Sequence, residues 1–339
     1  MNSKFKVSRF VPALSLLLVV FIAGCERPPM DSVQQGFRGT GMVAVSNPRL
    51  AAELMAGVSV PDPIPAVPPS GTTASEVYEN VQVLGALDVS EFNRFMTAIT
   101  QWVSPDEGCN YCHAATGFAS DDLYTKVVAR RMIEMTRQIN SDWTDHVGTT
   151  GVTCYTCHEG NNAPLNVWVQ NPGPRRAGGF TADSAGQNTV APEAALSSLP
   201  YDPFSPFLLG DTEIRVLASQ PLPQGAPVPA IKQTEETYAL MMHMSDSLGV
   251  NCTFCHNSRA FSNWQESSPA RVTAWHGIRM ARELNTSYVA PLSTTLPAAR
   301  LGPMGDAPKV NCATCHQGLN KPLMGANMLQ YHPALVGGD

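Results

Sequence analysis

CYTCH (residues 154–158) sets two cysteines three positions apart with a histidine directly after the second, and the pattern occurs three more times, as CNYCH (109–113), CTFCH (252–256) and CATCH (312–316). These four motifs use eight of the nine cysteines. One copy alone is compatible with a redox dithiol or half a zinc site. Four copies, all with the histidine in the same place, fit covalent attachment of c-type haem: two thiols add to the two porphyrin vinyl groups, and the adjacent imidazole reaches the iron from one face. A structural zinc site needs two C-x-x-C pairs converging, with no fixed histidine after each, and a disulfide framework leaves four histidines unexplained. The spacing therefore predicts four covalently attached haem c groups, held by Cys109 and Cys112, Cys154 and Cys157, Cys252 and Cys255, and Cys312 and Cys315. His113, His158, His256 and His316 are the first iron ligands.

The motifs decide the fold class. At 339 residues and 43% apolar composition the chain can bury a core. Without a 24-residue leader, roughly 80 residues serve each haem, so porphyrin must form much of that core. With 28 prolines and 26 glycines punctuating the chain, the expected fold is mainly α with much irregular structure, a multihaem cytochrome c.

Residues 1–24 contain Lys4, Lys6 and Arg9, no acidic group, and an apolar run from Phe10 to Ile22 ending in IAGC at Cys25. This reads as an export signal. The run is shorter than the roughly 20 residues of a membrane span, which makes a permanent helical anchor the weaker alternative. IAGC resembles the lipobox of bacterial lipoproteins, which predicts lipidation of Cys25 and removal of residues 1–24; a free thiol there in an oxidising compartment is a liability. A plain signal peptide with a chance cysteine is the other alternative. Removing the leader takes away three of 22 basic residues and none of 28 acidic ones, moving the net charge from −6 to −9. That balance argues against nucleic acid and for a basic protein partner, the bland alternative being a merely soluble surface.

Each iron needs a second ligand, sought on the segment upstream of its motif. SEFNRFMTAITQW (90–102) carries a helical stripe, Phe92, Phe95, Met96 and Ile99, with Ser90 available as N-cap and Met96 placed 17 positions before His113. TEETYALMMHMSDSLG (234–249), with Thr234 as cap and Gly249 as stop, offers Met241 15 positions before His256; Met242 and Met244 are rivals. DDLYTKVVARRMIEMTRQIN (121–140) reads as a helix capped near Asp121 with Leu123, Val127, Val128, Met132, Met135 and Ile139 along one side.

RRMIEMTRQIN (130–140) matches WHGIRMARELN (275–285), pairing Met135 with Met280, Arg137 with Arg282 and Asn140 with Asn285, and Met132 with Gly277. The chain reads as two copies of a two-haem unit. The helix before the fourth motif starts at Ser268 and Pro269. A mid-helix glycine costs about 1 kcal/mol against alanine, so Gly277 needs a reason; a bare strip against which a porphyrin lies supplies one, and sends the fourth iron elsewhere for its ligand. The favoured arrangement gives Met132 to the second haem, leaves Met135 and Met280 as packing residues, and sends His146 across to the fourth haem opposite His316. Two alternatives remain: His146 as a surface histidine, or His146 on the second haem with Met280 on the fourth. His243, His276 and His332 are unassigned.

Together these residues resemble the tetrahaem cytochrome c subunit bound to the photosynthetic reaction centre of purple bacteria, from about Val77 to Gly318. The likeness rests on the four motifs, the helix-then-motif order, RRMIEMTRQIN, VTAWHGIRMARELN and the lipoprotein cysteine. It implies two pseudo-twofold-related dihaem halves with four haems in a near-linear row. By matching position it also implies second ligands at Met96, Met132, Met241 and His146. The organisation it predicts is a leader (1–24), a lipid-anchored extended segment (25–76), a first dihaem half (77–171), a proline-rich connector (172–230), a second half (231–318) and a tail (319–339).

The implied function is electron transfer rather than catalysis. A soluble periplasmic donor, either a small cytochrome c or a high-potential iron-sulfur protein, reduces the subunit, and electrons pass to the photo-oxidised bacteriochlorophyll pair of the membrane-embedded subunits, with the third motif nearest the exit. Two other classes compete. A multihaem reductase requires an open iron and proton donors; a free electron shuttle differs only in lacking the reaction centre.

Overall fold

The computed structural model describes residues 30–36, 41–171, 190–199, 202–216 and 230–337. The leader, Cys25 and most of the 172–230 connector lie outside the described residues. Regular structure is mostly helical, joined by irregular stretches and short turns, and among the described residues the sheet is one antiparallel pair, β1 (Asp31–Gln34) with β2 (Val43–Ser46), in the register Asp31 opposite Ser46.

The segment before residue 77 is not simply extended. After β2 comes α1 (Pro48–Gly57), whose start follows from local chemistry: Pro48 fits the first helical turn, and the Asn47 side chain accepts from the backbone N–H groups of Arg49 and Leu50. A reciprocal Thr73 and Glu76 capping pair then opens the short α2 (Ala74–Val77).

The long helices lie where periodicity puts them, but three of their starts differ. The first, α3 (Val89–Val103), is capped by Asp88, whose carboxylate accepts from the N–H of Ser90; Ser90 itself lies inside the helix. The second, α4 (Tyr124–Asp142), starts three residues after Asp121. That carboxylate is committed to Arg130, Asn80 and Lys126 and so does not cap. Its buried side is Ile133, Met135 and Ile139 with Thr125, Lys126, Thr136 and Asn140, while Val127 is exposed. The short α5 (Thr144–Val147) and α6 (Cys154–His158) follow. The helix before the third motif, α7 (Ala230–Leu248), starts ahead of Thr234, whose hydroxyl donates to the Val216 carbonyl. It ends at Gly249, which takes the left-handed φ of +62° expected of a stop.

The third motif opens with α8 (Cys252–Cys255). Pro269 does occupy the first turn of α9 (Pro269–Glu283), while the Ser268 hydroxyl, instead of capping, donates to the Phe254 carbonyl. That helix runs into a π-turn, Leu284–Val289, and the last motif forms α10 (Cys312–His316).

Packing crosses the sequence. Residues after the second motif lie on the segment of the fourth: Trp168 and Lys309 exchange backbone bonds, and the Thr314 hydroxyl donates to the Asn166 carbonyl. The C-terminal tail returns to α3 and α4, where Leu323, Met328 and Leu335 share a core with Phe95, Trp102, Ile133 and Tyr155. Full burial of side chains such as Phe95 and Leu335 stabilises by roughly 1.5–3 kcal/mol each. A second core joins Trp168, Phe204, Phe207 and Leu208 to Leu240, Ile278 and Ala281. A third gathers Met135 and Ile139 of α4 with Leu284, Val289 and Leu292.

Candidate haem centres

Each motif histidine is oriented by a backbone carbonyl. In the first motif His113 Nδ1 is 3.2 Å from the Phe118 carbonyl, and in the third His256 Nδ1 is 2.9 Å from that of Phe261. In the second, His158 Nδ1 lies 2.8 Å from the Asn161 carbonyl, and in the fourth His316 Nδ1 lies 3.0 Å from that of Leu319. A carbonyl only accepts, so Nδ1 carries the proton and Nε2 keeps its lone pair. Burial lowers the pKa of all four, that of His316 to about 4, so the rings are neutral at pH 7. A neutral imidazole with Nδ1 pinned and Nε2 bare is the form that ligates a metal.

His146 has the same signature. It sits on α5, its Nδ1 lies 2.9 Å from the Thr273 carbonyl of α9, and burial lowers its pKa. Its ring centroid is 6.0 Å from that of His316, with the planes at 71°. Two imidazoles on opposite sides of one metal, with metal–nitrogen distances of about 2 Å, place their centroids at about that separation.

The other three of the chain's eight histidines differ. His243 Nε2 is engaged by the Ser247 hydroxyl at 3.2 Å, His276 Nε2 faces Asp145 at 3.9 Å, and His332 is buried edge-on against Trp102.

The loops that present these carbonyls are built alike. After the first motif, the buried Lys126 ammonium donates to the carbonyls of Phe118, Ala119 and Ser120 at 2.8 to 2.9 Å. After the third, Arg271 reaches those of Phe261, Ser262 and Asn263 at 3.0 to 3.5 Å and stacks on Trp264. Burying a cation is tolerable only with such partners. Ahead of the second motif, Asn140 accepts from the Val152 N–H and donates to its carbonyl; ahead of the fourth, Asn285 does the same with Val310. The residue after each of these two histidines, Glu159 or Gln317, turns left-handed at φ 45° and 48°. Sequence reading had no role for Lys126 and saw the two asparagines only as a matched pair; aligning Lys126 with Arg271 across the repeat was the signal available.

No disulfide joins any of the eight motif cysteines. Among the described residues no three His, Cys, Asp or Glu side chains converge on a bare ion site, the arrangement a structural zinc requires. Donor set and orientation fit haem c.

The methionines line apolar clusters: Met96 against the α3 core, Met241 and Met244 against the Trp168 core, and Met132 with Met135 and Met280 in the third cluster. Met135 is a buried member of that cluster, and Met132 and Met280 both pack against it half-buried. At Gly277 a Cβ would stand 2.5 Å from Cε1 of His146. The neighbour that the glycine admits is an imidazole.

A family profile described as photosynthetic reaction centre cytochrome C subunit matches residues 26–336. The photosynthetic reaction center cytochrome c subunit of Rubrivivax gelatinosus is 51% identical over 95% of this chain and 88% of its own length. The same subunit of Thermochromatium tepidum is 50% identical over 96% and 80%, and that of Roseobacter denitrificans 42% over 90% and 85%.

Proposed function

The chain belongs to the photosynthetic reaction centre cytochrome c subunits, an electron-transport family of c-type cytochromes, and on that premise we propose that it is a tetrahaem relay anchored by lipid on Cys25 to the periplasmic face of the photosynthetic membrane. Reaction-centre proteins are its partners. Electrons from a soluble donor, a small cytochrome c or a high-potential iron-sulfur protein, reach the photo-oxidised special pair through this subunit.

Haem c, when bound, supplies an iron that exchanges single electrons. The protein's part is to hold each iron between two side chains: Met96 and His113, Met132 and His158, Met241 and His256, and His146 and His316. The observation that carries this reading is the common state of five imidazoles, His113, His146, His158, His256 and His316, each with Nδ1 on a backbone carbonyl. With two protein ligands per iron, no position is left for a substrate.

Two pseudo-twofold halves, 77–171 and 231–318, are supported by the recurring bonds. Lys126 and Arg271, and Asn140 and Asn285, make equivalent contacts beside the first and third motifs and the second and fourth respectively. The orientation is supported by the N-terminal hairpin. The Asn251 amide and the Thr253 hydroxyl of the third motif both donate to the Val43 carbonyl of β2, and the Val45 N–H donates to Asn251 Oδ1. Cys25 precedes β1 by six residues, at most about 20 Å of extended chain, which tethers the third motif near the membrane as the exit side. No described helix is long and apolar enough to cross a membrane.

Detergent extraction of photosynthetic membranes tests the partnership. The cytochrome is expected to leave with bacteriochlorophyll-containing subunits; recovery free of them in mild detergent overturns the reading in favour of a shuttle.

A further inference from the structure

The notch at Gly277 is a shaped surface. A Cβ built there would lie 2.5, 2.8 and 3.1 Å from Cε1, Nδ1 and Nε2 of His146, all inside the roughly 3.5–4.0 Å at which non-bonded atoms rest. The Cε1 side of the imidazole therefore lies against α9 at its one residue without a side chain. Its Nδ1 donates at 2.9 Å to the carbonyl of Thr273, four residues earlier. In an α-helix that carbonyl receives the N–H of Gly277 itself, and a carbonyl has a second lone pair to offer. Bare strip and acceptor thus occupy one turn of α9.

The same two elements meet again beside the ring, where Asp145 faces His276 at 3.9 Å. On the other side the His146 ring looks toward His316. A side chain at 277 would force the imidazole off the helix and break the Thr273 bond.

We propose that Gly277, together with the Thr273 carbonyl, is the positioning element that aims His146 Nε2 at the iron of the fourth motif. Met132, its counterpart in the repeat, is itself a side chain proposed to ligate the second iron. The two positions therefore have complementary roles, one supplying a ligand and the other making room for a ligand delivered from the opposite half. The inference rests on His146 being the second ligand of the fourth haem.

The test uses the four-haem membrane cytochrome in its reaction-centre complex, with Gly277→Ala and His146→Gly variants read by equilibrium redox potentiometry and by carbon monoxide binding to the reduced protein. Gly277→Ala is expected to shift one midpoint of four and to admit carbon monoxide at that same haem, leaving the other three unchanged. His146→Gly should open one haem as well. If His146→Gly opens a haem while Gly277→Ala moves nothing, the positioning role is overturned and the ligand assignment stands. If His146→Gly leaves all four haems closed, the ligand assignment falls and the inference falls with it. Should Gly277→Ala fail to assemble, the double variant His146→Gly/Gly277→Ala must assemble as well as His146→Gly alone; failure there means that the Cβ collides with something other than the ring, which also overturns the proposal.

Discussion

The imidazole of His146 stands 6.0 Å from that of His316, centroid to centroid, although 170 positions separate them in the chain. The contact joins the end of the α4 and α5 segment to the fourth motif. On the proposed ligands that iron stands apart from the other three, since methionine raises a haem's potential relative to a second histidine. His146→Met should raise one of the four midpoints and leave three in place. Equilibrium potentiometry with optical detection reads this directly, and four unchanged midpoints would remove His146 from the ligand set.

Met132 and Met135 lie in or beside one apolar cluster, so packing alone does not separate them. The repeat does, because Met135 has a counterpart in Met280 and Met132 has none. Met132→His should lower one midpoint strongly, whereas Met135→Leu, a near volume-conserving change at a buried site, should cost less than about 1.5 kcal/mol and move no midpoint by much. The reverse pattern in the same redox titration would reassign the ligand.

How far the sequence carried depends on whether the decisive contacts are local. The motifs, the helices ahead of them, the stop at Gly249 and the first turn at Pro269 all rest on short-range spacing and backbone preference, and they stand as read. The capping side chains do less well, since three of those expected to cap are claimed by other partners, although Ser268 still holds the N-cap position of α9. Asp121 is held by Arg130 and Asn80, Ser268 by the Phe254 carbonyl, and Thr234 by the Val216 carbonyl. Gly277 was legible as a demand for space, but not as space for an imidazole 131 positions away. The return of the tail onto α3 had no local signature at all: Leu335 is fully buried there, and its carbonyl accepts from Asn140.

Asn140 closes three bonds in the interior, to the Val152 N–H, the Val152 carbonyl and the Leu335 carbonyl. Truncation to alanine leaves these backbone groups buried without partners, at about 1–3 kcal/mol per unsatisfied group before relaxation. Asn140→Ala should destabilise the holoprotein by about 2–4 kcal/mol in denaturant unfolding, and Asn285→Ala by a comparable amount, because it serves Val310 and the Leu208 carbonyl in the same way. A loss under about 0.5 kcal/mol in either variant would show that the clamp is redundant.

His332 provides a pH dependence away from the motif ligands. Its ring is buried between Trp102 and Phe95, and burial together with the nearby Arg94 guanidinium lowers its pKa from 6.5 to about 4, against the opposing pull of Glu91. The folded-state value lies below the unfolded one, so between pH 6.5 and 4 the unfolded chain binds the additional proton. Stability from this residue is complete above pH 6.5 and is lost as pH falls toward 4. His332→Phe removes the titration while keeping a ring among rings. Denaturant unfolding of variant and wild type at about pH 7 and about pH 5 should therefore show a smaller acid-induced loss in the variant, and equal losses would place the acid sensitivity in other groups.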